Sequence, residues 1–253
     1  RNIIVGSMAG GKEVKYYGVH SCLMLADQRP DAIIRVYLDA SNVKIFSSLL
    51  KWCANKKIAY HIIPSQELDR VSDSVHHEGV CILAKELPIL SEESFFLSIK
   101  KLPKAACLLY LDGVENPHNI GSILRTAAHF GIPYILGENL PRLSASCCRI
   151  AKGGAEVVRL VALSKPIEAL LRLRKEGFSL ITTSSHQGEP LHQFAFPART
   201  ILGIGSESKG VRPALMKSAS GSVRILGTGI MESLNVSVAA GLCMGAYCFQ
   251  HKV

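Results

Sequence analysis

Three stretches of the chain place polar side chains where a strand runs into a turn or a helix. The first runs from Leu111 through Asn116-Pro117-His118-Asn119 to Arg125 and Gly131. The second is the glycine-bounded turn Gly203-Ile-Gly-Ser-Glu-Ser-Lys-Gly210, which contains Glu207. The third runs from Ile225 through Gly229 to Ser233-Leu234-Asn235 and the apolar stretch beyond. In an α/β sheet, ligands bind at the carboxyl ends of strands. A ligand with an adenosine group could lie against the exposed backbone of the second turn. Each polar residue also has an ordinary use. Asn119 is placed to cap a helix, and Arg125 could be a snorkelling surface residue. Ser233 and Asn235 fall at a helix start. On spacing alone Glu207 is equally a solvated turn residue and a site carboxylate.

Two glycine motifs come close to nucleotide-binding patterns and miss. Gly6 to Lys12 satisfies GxxxxGK, but Glu13 stands where a P-loop needs Ser or Thr for magnesium. Gly203 to Gly210 has Ser208 where a dinucleotide fingerprint needs glycine. The first is read as a flexible lead-in. A nucleotide-dependent enzyme built on these glycines is therefore a minor reading.

The elements that must hold these residues follow from periodicity. Residues 1–14 form a lead-in with little pattern. Helices are expected over Val19 to Gln28 and Phe46 to Asn55, and strands over Ile33 to Leu38, Ala59 to Ile63 and Gly79 to Leu83. This is a small α/β domain over 15–85. Residues 86–104, with Pro88, Pro103, Glu92 and Glu93, read as a linker with a short helix across Phe95 to Ile99. The remainder, 105–253, alternates strands with helices. Strands are expected at Ala106 to Leu111, Tyr134 to Leu136, Ser179 to Thr183, Thr200 to Ile204 and Val223 to Ile225. Helices are expected at Ile120 to Phe130, Ile167 to Lys175 and Ser233 to Phe249. That order implies parallel strands with helical crossovers.

Composition bounds the partner class. The 253 residues are 48% hydrophobic and 19% charged, which excludes a disordered basic tail. Lys and Arg number 29 against 20 Asp and Glu, a net charge of +9. Residues 105–253 carry +6 of it. A polyanion such as nucleic acid is the natural partner. There is no apolar run of 18 residues, so no ordinary transmembrane helix is expected. The eight cysteines form no CxxC pair. They read as reduced, mostly buried residues of a cytosolic protein, with no metal site.

The order NPxNxGxxxR (116–125), GSExxG (205–210) and GxxxSLNVSVA (229–239) resembles the three motifs of SpoU-type RNA ribose methyltransferases, the TrmH-like branch of the SPOUT superfamily. The likeness spans roughly 106–250. Tyr17-Gly18-Val19-His20 and His77-Glu78-Gly79-Val80 resemble the landmarks of that family's small RNA-binding domain, although the family usually has Gln at Glu78. The resemblance implies an α/β fold with a C-terminal parallel sheet tied in a deep trefoil knot. It implies S-adenosylmethionine as cofactor, contacted by Leu202, Gly203, Gly205, Ile225, Gly229 and Leu234, largely through backbone. Asn119, Arg125, Glu207, Ser233 and Asn235 match catalytic and structural polar positions. RNA, either tRNA or rRNA, is the implied partner, and the implied assembly is a homodimer. His118, inside the first motif, reads as an exposed loop residue that could touch RNA.

The reaction implied is methyl transfer to a ribose 2′-hydroxyl. Arg125 is expected to hold the target phosphate and hydroxyl, since a neutral guanidinium is costly. Asn119 and Glu207 are expected to orient it, and Ser233 and Asn235 to shape the pocket. Two departures stand out. Leu226-Gly227 replaces the family's Pro-Met, which gives up a fixed φ and adds freedom. Gly153 stands where the family often has Ser. The first departure favours the competing reading, an RNA-binding module that keeps the fold without the catalysis.

Overall fold

The computed structural model describes residues 12–252. The Gly6 to Gly11 portion of the near-P-loop lies outside the described residues. The chain divides into two compact units between Pro88 and Ile89.

The first unit runs β1 (Glu13–Tyr17), α1 (Val19–Gln28), β2 (Ile33–Leu38), α2 (Ser47–Lys56), β3 (Ala59–Ile62), α3 (Ser65–Ser72) and β4 (Val80–Lys85). Its sheet has the order β1-β4-β2-β3, with β2 and β3 parallel and the other neighbours antiparallel. The part of the lead-in that is described is therefore not loose, because Glu13–Tyr17 pairs with β4 from Glu13↔Lys85 to Tyr17↔Cys81. Its apolar signal is the adjacent pair Tyr16-Tyr17, both buried, which shows no alternation to reveal a strand. The helix α3 was also absent from the pattern. Its face toward the core is carried by Leu68 and Ser72 alone, too few apolar residues to show a 3.6 period.

The second unit runs α4 (Glu92–Ser98), β5 (Ala106–Asp112), α5 (Pro117–His129), β6 (Tyr134–Gly137), α6 (Ala145–Ala151), α7 (Gly154–Val157), β7 (Arg159–Ala162), α8 (Pro166–Lys175), β8 (Ser179–Thr183), β9 (Glu189–Pro190), β10 (Arg199–Gly205), α9 (Pro213–Ser218), β11 (Gly221–Arg224) and α10 (Val236–His251). Seven strands form one sheet in the order β7-β6-β5-β10-β8-β11-β9. All its pairings are parallel, as the alternation of strands and helices implies. The strand β5 is buried at all seven positions, the pattern of a central strand covered on both faces.

The segment 86–104 is more than a spacer. Phe95, Phe96 and Ile99 lie in the hydrophobic core of the second unit with Leu108, Tyr110 and Leu173. Phe95 meets Tyr134 edge to face at 5.2 Å, and the Arg172 guanidinium sits 3.7 Å over the Phe96 ring. Leu90 bonds to both Leu160 and Ala162 of β7. The prolines that suggested a linker flank this packed helix.

Candidate functional site

The three polar stretches meet at the carboxyl end of the parallel sheet. The strand β5 ends at Asp112 and β10 at Gly205, and these two residues are register partners. The loop after β10 then turns back on itself. Ser206 and Gly210 pair as an isolated bridge, and a Cβ at Gly205 would lie 2.0 Å from the carbonyl carbon of Gly210. Only glycine admits that approach, so the second motif's glycine is a packing requirement. The loop presents Glu207 outward.

Glu207 joins all three stretches. Its Oε1 accepts from Asn235 Nδ2 at 2.9 Å, from the Val236 amide at 3.2 Å and from Asn119 Nδ2 at 3.4 Å. Asn235 Nδ2 also donates to Asn119 Oδ1 at 3.0 Å. Asn235 is the N-cap of α10, its Oδ1 accepting from the Ser237 amide and hydroxyl. A carboxylate at this helix start is favoured by the exposed amides and by the helix dipole. Asn119 does not cap α5, since Asn116 does so by accepting from the His118 amide at 2.9 Å. Asn119 sits one turn in, which frees its amide for Glu207 and Asn235. The helix α10 begins at Val236, so Ser233 and Leu234 belong to the loop before it.

Arg125 stands apart from that cluster. It is exposed, and among the described residues it has no hydrogen bond or ion pair. Six residues along α5 place it about 120° around the helix axis from Asn119 and about 9 Å further on. Asn119 and Glu207 are bonded to each other and to Asn235, not to Arg125. Among the described residues no bond joins either of them to the arginine.

The residues expected to contact a cofactor separate into two groups. Leu202 and Gly203 are inside the sheet, paired to Leu109 and Tyr110 on one side and to Ile181 and Thr182 on the other. Leu202 is fully buried, so its side chain serves the core. Gly205, Ile225, Gly229 and Leu234 reach solvent. From Ile225 to Leu234 the chain makes no backbone–backbone hydrogen bond among the described residues. That loop also exposes Leu226, Ile230, Met231 and Leu234. The Ile230 amide donates to the Thr228 hydroxyl at 3.5 Å. Backbone groups left out of any ladder, beside apolar side chains, suit an adenosine group with a sulfonium-bearing tail. The Leu226-Gly227 departure lies in this exposed loop, with nothing within 4 Å of a Cβ at Gly227. Gly153 adopts φ 90 at the start of α7, a conformation unfavourable to Ser.

Sequence reasoning missed an ionic hub that fixes the loop bearing Glu207. Arg212, just past that loop, donates from Nε to Asp112 Oδ1 and from its amide to Asp112 Oδ2, both at 2.7 Å. Its Nη2 reaches the Tyr110 hydroxyl and Glu138 Oε2, each at 2.9 Å. Partial burial works against the Arg212 charge, but the bonds to Glu138 and Asp112 outweigh it and hold its pKa above the ordinary value. Burial pushes the Tyr110 hydroxyl up to about 12. The available signal was Asp112, a carboxylate closing a strand that is otherwise apolar. A cleft of about 210 Å³ lies beside this hub, lined by Leu111 to Glu115, Glu138 to Leu140 and Arg212. None of the expected cofactor residues lines it.

In the first unit the two landmarks also meet. The Gly18 amide donates to the His77 carbonyl at 3.2 Å, and the Val19 amide to Glu78 Oε2 at 2.9 Å. Glu78 thereby caps α1. A side chain at Gly79, where φ is 77, would collide with Asn42 and Asp39. All eight cysteines are free and buried. Among the described residues no group of His, Cys, Asp and Glu could hold a metal, and no helix is long and apolar enough to cross a membrane.

Comparison with known proteins accounts for both units. The profile of the SpoU rRNA Methylase family matches residues 106–245. The profile described as RNA 2'-O ribose methyltransferase substrate binding matches residues 16–90. An uncharacterised tRNA/rRNA methyltransferase, YfiF, of Escherichia coli O157:H7 is 34% identical over 95% of this chain and 69% of its own length. The 23S rRNA (guanosine-2'-O-)-methyltransferase RlmB of Acinetobacter baylyi is 28% identical over 93% of this chain and 96% of its own. A solved RNA 2'-O ribose methyltransferase superposes with a TM-score of 0.78 at 21% identity, covering 95% of this chain and 90% of its own. The SpoU methyltransferase AviRb of Streptomyces viridochromogenes, solved with AdoMet, gives 0.75 at 18% identity, over 95% and 91%.

Proposed function

The chain belongs to the SpoU rRNA Methylase family, and from that premise we propose that it transfers a methyl group from S-adenosylmethionine to a ribose 2′-hydroxyl of structured RNA. The observation that carries this reading is the three-way junction at Glu207. Residues from three separated motifs converge on one carboxylate, beside a loop that makes no backbone–backbone hydrogen bond among the described residues. The proposal extends to tRNA or rRNA as substrate class, as the names of the relatives suggest. It also places the protein in the cytoplasm, where RNA is at hand and buried thiols stay reduced.

The sulfonium cofactor, when bound, supplies an electrophilic methyl carbon and a good leaving group. The chain's own task is alignment, and orientation of this kind is worth about 7–11 kcal/mol of barrier. The loop 225–234 and Gly205 would hold the cofactor through backbone groups and through Ile225 and Leu234. Glu207, Asn119 and Asn235 keep that loop and the start of α10 at a fixed distance from α5. Ser233, exposed and outside the helix, adds a hydroxyl toward the substrate. Arg125, exposed and unpaired, is free to take a phosphate and to stabilise charge developing on the 2′-oxygen. Its guanidinium stays charged, so it acts as a donor rather than as a base.

Among the described residues nothing bonds to the Arg125 side chain, which leaves it open to contacts from a second copy or from the RNA itself. A homodimer fits the surface of α10. Val238, Leu242 and Phe249 are exposed at spacings of four and seven along that helix, at 50%, 45% and 78% exposure. Such an apolar stripe on an outer helix is a natural interface. The knot goes with this reading too. The strand β10 inserts between β5 and β8, and β11 between β8 and β9, which supports a C-terminal chain threaded through earlier connections.

Calorimetric titration of the full chain with S-adenosylmethionine tests the proposal. Saturable one-site binding is expected. A chain that takes up no cofactor would instead be a binding module that retains the fold.

A further inference from the structure

The sheet of the first unit leaves part of one face open. Along β2 the positions alternate, with Val36 and Leu38 buried and Arg35 and Tyr37 on the opposite face. The register sets Ala59 beside Arg35 and His61 beside Tyr37. The Tyr37 and His61 rings stack, with centroids 5.3 Å apart and planes at 21°. Arg35 Nη1 donates to the Tyr37 hydroxyl at 3.3 Å. The strand β3 is the edge of the sheet and is exposed at every position. Among the described residues no other ring stacks on His61. An aromatic stack shown to water at a sheet edge contributes little to a core. It offers a flat π surface flanked by a cation.

The charges nearby favour a polyanion. Arg35, Lys56 and Lys57 are exposed around the start of β3. Glu13 is the acidic group that acts on Arg35. Arg35 lies on the platform itself, and Lys56 and Lys57 close the helix that leads into β3. We propose that Arg35, Tyr37 and His61 form a stacking platform for an unpaired base of single-stranded RNA, with Arg35, Lys56 and Lys57 drawing in its phosphates. The chemistry is that of general single-strand readers: an aromatic face takes a base of any identity, and cations track the backbone. The platform starts one residue from Leu38, which pairs with Val80 of the landmark loop. It deepens the reading of this unit as the RNA-holding part of a methyltransferase, and rests on that reading for its purpose.

The test uses the full chain and two probes, a short labelled single-stranded RNA and the same strand annealed to its complement. His61→Ala is exposed and safe for folding. It is expected to weaken single-strand binding by roughly 5- to 100-fold and to leave duplex binding unchanged. His61→Phe, which keeps a flat ring, is expected to restore the affinity. Single-strand affinity unchanged in His61→Ala, or an equal loss on both probes, would overturn the platform. Titrating the same variants with S-adenosylmethionine keeps the two ideas apart. Absence of cofactor uptake by the wild-type chain would count against methyl transfer and leave the single-strand result standing.

Discussion

Two glutamates, one in each unit, solve the same problem and end in different surroundings. Glu78 accepts the first amide of α1, and Glu207 accepts the first amide of α10. Each ties a loop to a helix start far away in sequence. Around Glu78 the polar groups are consumed. His77 faces Asp69 at 3.1 Å and accepts from the Gly79 amide at 2.8 Å, and Asn42 donates to the Glu78 carbonyl at 3.0 Å. Around Glu207 the cluster is internally bonded but its rim is open. Among the described residues the Arg125 and Ser233 side chains have no partners, and the backbone of 225–234 makes one bond, from the Ile230 amide to the Thr228 hydroxyl at 3.5 Å. A junction that only builds a fold closes its hydrogen bonds, since unmade ones are expensive. A junction that serves a ligand leaves donors aimed outward.

The largest effect should come from the open rim. Arg125→Ala is expected to cut methyl transfer by about 10²–10³-fold, the loss typical of one transition-state donor. Thermal melting should not change, because the side chain makes no hydrogen bond or ion pair among the described residues. Arg125→Lys should recover little, since lysine cannot supply the planar fork. Full activity in the lysine variant would show that a point charge suffices.

The closed junction should respond in the opposite sense. Gly79→Ala places a side chain at positive φ against Asn42 and Asp39, and about 2–3 kcal/mol of stability should be lost. Denaturant unfolding monitored in the first unit would read it, with cofactor affinity retained. A variant as stable as wild type would mean that the loop can relax around the new methyl group.

The glutamates can be exchanged for the same residue. Glu78→Gln keeps an acceptor for Val19 and should cost no more than about 0.3–1 kcal/mol, the worth of a charge at a helix start. Glu207→Gln keeps Oε1 as the acceptor of all three bonds but removes the charge that strengthens them, so it weakens three charge-assisted bonds where Glu78→Gln weakens one. Its stability loss should be about 1–2 kcal/mol, with cofactor affinity falling as well. Equal behaviour of the two variants by melting and by calorimetry would erase the distinction between the junctions.

The smallest effect concerns thiols. Burial holds Cys81 and Cys147 up to about 11 and Cys243 up to about 12, from an ordinary 9.0. The fold favours their neutral form. That stability is fully present below pH 9 and is lost as pH rises through 11 to 12. Melting temperature should be flat from neutral pH to 9 on this account and fall above it. Alkylation of the native protein at pH 8 should be slow.

Much of this is legible in the amino-acid sequence. The helix Val19–Gln28 and the strands Ile33–Leu38 and Ser179–Thr183 lie where periodicity placed them. Long, strongly patterned elements reveal themselves. Short ones such as α7 and β9 do not, because two to four residues cannot show a period. The residues of the candidate site were legible as motifs, but their division of labour was not. The resemblance paired Asn119 with Arg125, whereas helix geometry turns the two apart. The Asp112–Arg212 hub spans a hundred residues, and no local pattern links the pair. The stacked Tyr37 and His61 become neighbours only through the β2–β3 register.

The central claim is methyl transfer to ribose, and one assay addresses it most directly. Wild-type protein and Arg125→Ala would be incubated with cellular RNA and S-adenosylmethionine labelled in its methyl group. The RNA would then be digested and its nucleosides resolved by mass spectrometry. The account predicts label in a 2′-O-methylated nucleoside with the wild type and almost none with the variant. Label on a base, or equal label with both proteins, would contradict it.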